Sequence, residues 1–133
     1  MREIKKNGAV LARHITPSDF GKGLQFFSQD SDFVQVGLWG SYEAGQKTNP
    51  HIHYEFDRIA TRTQEMLYVI SGSFAMDIYD LEEHLVETVS VGQGEILVLL
   101  DCGHGCTILS DNTTVLEVKN GPYAGAEKDR YRF

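Results

Sequence analysis

Basic residues are the minority here: twelve Lys and Arg stand against nineteen Asp and Glu, for a formal net charge of −7. Such a balance lacks the basic face that a nucleic-acid backbone requires, so no nucleic-acid partner is expected. Long apolar runs are also missing. The longest, "ILVLL" at 96–100, has strand length and falls far short of the ~20 residues of a membrane helix. The opening "MREIKKNGAVLARH" is charged and holds no signal-peptide core, which makes a cytoplasmic location the expectation, with no membrane partner. Cysteine is scarce. Cys102 and Cys106 stand in a C-x-x-x-C spacing that fits neither a zinc knuckle nor a thioredoxin pair, and they read as two small, partly buried thiols. Low-complexity tracts and internal repeats are absent.

What the chain does have is strand signal. Short apolar-rich runs lie at 9–15, 24–28, 33–42, 51–56, 65–71, 73–80, 84–90, 95–100, 106–109 and 113–119. Gly, Asn, Asp, Ser or Pro bounds each one, as turns demand. About ten short strands at this spacing predict an all-β sandwich or barrel with little helix. Helical turns are expected only near 16–23 and 124–132. With 133 residues, one domain over 1–133 is the natural organisation. The stretch "YVISGSFAMDIY" reads as a hairpin turning at Gly72. Met66, Tyr68 and Ile70 alternate with Leu67 and Val69, so both its faces are apolar. A second sheet or another subunit must cover the outer one, and a homodimer is the expectation.

Chemistry concentrates around "NPHIHYEF". On a strand, His51 and His53 share a face with Cα atoms ~6.6 Å apart, close enough for both rings to bend toward one ion. Taken alone, the pair reads equally as an ordinary strand with two polar residues. Glu65 follows, with six residues between it and Gly72. Farther on, Gly92 and Gly94 turn the chain, "EILVLL" forms a strand, and His104 sits at the corner made by Gly103.

These residues resemble the cupins, small barrels of jelly-roll (double-stranded β-helix) form built around two motifs. The first reads here as Gly45, "QKTNP", His51-Ile52-His53, Glu65, "MLYVIS" and Gly72. The second reads as Gly94, "EILVLLDC", Gly103 and His104. Together they span about 45–72 and 92–104, with 121–133 as a C-terminal tail like those that close many small cupins. Two departures stand out. Eleven residues separate His53 from Glu65, where the family has three or four. Asp101 stands where the second motif often has proline. The extra segment carries Glu55 and Asp57, either of which can replace Glu65 as a ligand.

The resemblance implies that His51, His53, Glu65 and His104 hold one divalent transition ion, Fe, Mn, Ni, Co or Zn, with two positions left open. It implies a metal-binding cupin acting on a small oxygenated substrate such as a sugar derivative, by isomerase or epimerase chemistry. The alternatives are an iron-dependent dioxygenase and a non-catalytic small-ligand-binding cupin. A metal-free epimerase with a histidine–carboxylate base fits less well, because it needs one base and not three imidazoles. Arg58 and Arg62 are candidates for the substrate pocket. Asp101 and Cys102 flank His104 and can orient its ring. Trp39 and Phe33 read as core; His14 and His84 read as ordinary histidines.

Overall fold

The computed structural model describes all 133 residues. Ten strands carry the fold: β1 (Arg2–Lys6), β2 (Ala9–Ile15), β3 (Gly23–Phe26), β4 (Gly37–Gly40), β5 (Glu65–Ser71), β6 (Ser73–Tyr79), β7 (Leu85–Gly92), β8 (Ile96–Leu99), β9 (Gly103–Ile108) and β10 (Thr114–Lys119). The only helical pieces are a 3-10 turn at Pro17–Asp19 and one turn, α1, at Ala126–Asp129. The fold is therefore all-β. No helix is long and apolar enough to cross a membrane.

Three antiparallel sheets form: β1-β2-β8-β5-β10, β7-β6-β9 and the pair β3-β4. They do not join into one closed barrel, so the jelly-roll expectation is met only at the level of an all-β chain with antiparallel sheets. Between the first two sheets lies the larger core. Leu67, Val69, Leu97 and Leu99 meet Phe74, Met76, Ile78, Val89 and Val91 there. Alternation then sends Ile96 and Val98 of β8 to the opposite face, where they join Ile15, Phe27, Val34 and Val36, with Met66 and Tyr68 packed alongside. The second apolar face of β5 is thus covered at Met66 and Tyr68 by the chain's own 27–38 region, while Ile70 stays half exposed.

Gly72 corrects the hairpin expectation. β5 pairs with β8 and β10, whereas β6 pairs with β7 and β9, so the turn carries the chain from one sheet to the other. Its φ is +78°, and a Cβ there would stand 2.7 Å from the Cα of Thr113, so glycine is required twice over. Residues 51–56 form no strand. Their alternation suits an extended strand, but no partner edge pairs with them. Trp39 departs from the expected core position: it is 61% exposed, beside Tyr42.

Candidate functional site

Register decides which side chains meet at the open end of the sandwich. Glu65 opens β5 opposite Leu99 of β8 and Lys119 of β10, so its side chain faces the inter-sheet space. His104 is the second residue of β9, opposite Ile78, a core residue of β6, and looks into the same space from the other sheet. The result is a cavity of about 800 Å³ that Glu65, His104, Cys102, Tyr79, Arg62 and the tail residues 129–133 help to line. Its volume lies within the ~300–1,000 Å³ of small-molecule sites.

Glu65 is a buried acid of this cavity, 6% exposed, as is Asp80 on the far wall at 7%. Lys119 donates from Nζ to Oε1 of Glu65 at 2.8 Å, and His104 Nε2 stands 3.5 Å from its Oε2. The carboxylate, followed by Glu117, holds the Lys119 ammonium pKa above its ordinary value. Cys102 lies in the same wall. Burial first, then the charges of Glu65 and Asp101, push its thiol up to about 12. It is an inert thiol, in keeping with the sequence reading. Cys106 is exposed, and partial burial raises its thiol as well.

The other expected ligands lie elsewhere. His51 and His53 are exposed on the non-repetitive stretch before β5, their ring centroids 5.1 Å apart and nearly perpendicular. Glu55 and Asp57 are exposed on the same stretch. Arg58 sits 4.4 Å over the ring of Phe56. Arg62 reaches the cavity, and its Nε is 3.0 Å from Oδ1 of Asp101. The expected set is therefore gathered as two pairs: Glu65 with His104 inside the cavity, His51 with His53 outside it. Three imidazoles and a carboxylate suit a divalent transition ion by their chemistry, and one of the two pairs is already at ligand spacing.

One triad does bring its ligand atoms within 4.8 Å of one another: Asp80, Glu82 and His84, a group that can hold a metal ion. Its geometry is also that of a turn. Asp80 accepts hydrogen bonds from the backbone N–H groups of Glu82 and His84, and it pairs with Lys6 at 2.9 Å. His14 is a structural histidine, its Nε2 2.7 Å from Glu95.

Lys119, Arg130 and Arg132 escaped the sequence reading. Lys119 lies fifty-four positions from Glu65, and only the β5–β10 register joins them. The R-x-R spacing in "DRYRF" was visible as a signal, but its destination was not. No protein-family model, curated protein or solved structure matches this chain.

Proposed function

We propose that the chain is a small-molecule enzyme of cupin type whose site is the cavity around Glu65 and His104. Isomerase or epimerase chemistry on an oxygenated substrate is the reading that fits. The observation that carries it is the meeting of a buried carboxylate and an imidazole, 3.5 Å apart, in a cavity of about 800 Å³. Residues so distant in sequence and so unlike the surrounding aliphatic core reflect a task other than packing.

His51, His53, Glu65 and His104 are the residues that would hold a divalent ion. Such an ion supplies Lewis acidity toward adjacent hydroxyl and carbonyl oxygens. Two features support recruitment of the first two histidines. β9 is an edge strand beside the cavity, with one row of backbone groups facing no neighbouring strand. Ile52 and Tyr54 are 93% and 91% exposed, an arrangement costly for large apolar side chains. An extended His51–Phe56 laid along that free edge is the arrangement the reading requires. His104 and Glu65 do the rest of the work: they face a polar substrate from a wall that also carries Arg62, Asp80, Arg130 and Arg132.

A second reading draws on Lys119. Its ammonium already occupies Glu65 Oε1 and leaves Oε2 to His104, the pairing of a metal-free histidine–carboxylate base. Equilibrium dialysis against Mn, Co and Zn separates the two readings. The metal reading predicts about one ion per chain, lost in both His51→Ala and His104→Ala with the strand signature kept in circular dichroism. Absence of binding by the wild type leaves the metal-free pair.

A further inference from the structure

Every acid in the cavity wall has a partner. Glu65 is held by Lys119, and Asp80 by Lys6. Thr63 donates its hydroxyl to Asp129, and Tyr131 donates to Glu83. The arginines differ. Arg62 pairs with Asp101, whereas Arg130 and Arg132 line the cavity with no ion pair and no side-chain hydrogen bond. In a chain of net charge −7 with nineteen carboxylates, two such guanidiniums at one cavity are conspicuous. Arginine stays charged at any relevant pH and presents a planar fork of donors matched to oxyanions.

The tail lies along the cavity through aromatic contacts, and both of its arginines are exposed there. Phe133 packs edge-on against Tyr79 at 5.2 Å and lies 6.2 Å from Tyr131. Its ring also covers Gly103, where a Cβ would come within 3.2 Å of it. That contact sets the tail beside the residue preceding His104. Arg130 borders an adjoining cavity of about 630 Å³ as well, together with Lys119.

We propose that the cavity takes a phosphorylated small molecule, with Arg130 and Arg132 binding its phosphate and Glu65 and His104 facing the part that reacts. This rests on the reading of the cavity as a substrate site. Two positive charges match a phosphate of charge about −1.5 to −2 at neutral pH better than a single carboxylate. A volume of about 800 Å³ has room for a polar body beyond the phosphate.

The test is a titration of the full chain with inorganic phosphate, followed by amide chemical shifts, with acetate as comparator. The expected result is saturable phosphate binding with shifts at Gly103, Gly105 and the tail, and much weaker acetate binding. Arg130→Gln and Arg132→Gln each weaken phosphate by about tenfold or more. Lys128→Gln, on the same tail but outside the cavity, leaves it unchanged, and Arg132→Lys falls between. His104→Ala keeps phosphate binding, so failure of the metal reading leaves this test intact. Absence of saturable binding, acetate as tight as phosphate, or undiminished affinity in the Arg130→Gln/Arg132→Gln double variant overturns the proposal.

Discussion

Replacing Lys119 with methionine probes the site where stability and chemistry meet. The substitution keeps the aliphatic stem and deletes the ammonium that donates to Glu65 at 2.8 Å. At that distance, with an effective dielectric constant of about 20, the attraction is ~6 kcal/mol before solvation is counted. Desolvating both groups offsets most of it, and the Lys119 side chain keeps 25% of its exposure while that of Glu65 keeps 8%. The net loss is about 2 kcal/mol. At ~2.1 cal/mol/K per residue, a chain of 133 residues then melts about 7 °C lower. The assay is a thermal melt in chelator followed by circular dichroism, with Lys119→Arg as the charge-preserving control. A second arm adds a divalent ion. An ion at Glu65 takes over the role of the ammonium, and at a hundred times its Kd it contributes ~2.7 kcal/mol, more than the deletion removes. A melting temperature unchanged in chelator refutes the energetic argument. A lowered temperature that no divalent ion restores refutes the placement of the metal.

Other consequences are as specific. Asp80 is held well below the usual carboxylate range, first by Lys6 and then by the backbone N–H groups of His84 and Glu82. The stability it supplies is present above the ordinary Asp value of ~3.9 and disappears as pH falls through and below it. Urea midpoints of wild type and Asp80→Asn therefore differ at pH 7 and converge toward pH 2; a constant offset contradicts this. Cys102, with its thiol near 12, is alkylated at pH 8 about a thousandfold more slowly than an ordinary thiol, as peptide-resolved mass spectrometry reads directly. A Cys102 that labels at the ordinary rate contradicts that burial. Gly72→Ala places a Cβ on Thr113 at positive φ and costs at least ~2 kcal/mol in denaturant unfolding; a neutral effect would show that the corner relaxes.

Strand positions were legible because alternation and turn residues are local properties. β5 begins and ends where its apolar run does, at Glu65 and Ser71. Partnership was not legible. Nothing in "ISGS" tells a hairpin from a corner between sheets, since that depends on the strands that compete for each edge. β1 was missed because "REIKK" holds one apolar residue, Ile4, and yet that residue is buried to 2%. Arg13 lies unremarked within the 9–15 run of the sequence. It is 1% exposed, paired with Asp32 and Glu3 under the 27–38 cover. Of the site, Glu65 and His104 were found through motif spacing. Lys119, Arg130 and Arg132 were not, because their neighbours are set by register and by the path of the tail. His84, read as an ordinary histidine, is exposed and gives its backbone N–H to the Asp80 turn. The pattern at 51–56 was read as a strand. Alternation supplies the pleat, but a strand forms only where it pairs, and 51–56 pairs with no strand here.

X-ray absorption on the chain loaded with cobalt or zinc addresses the central claim most directly, because it counts imidazoles at the ion. Three imidazoles and a carboxylate oxygen are predicted, with no ion retained by His51→Ala or His104→Ala and an unchanged ion environment in His84→Ala. An ion bound through a single imidazole and lost in His84→Ala would place the metal at the Asp80 turn and contradict the account.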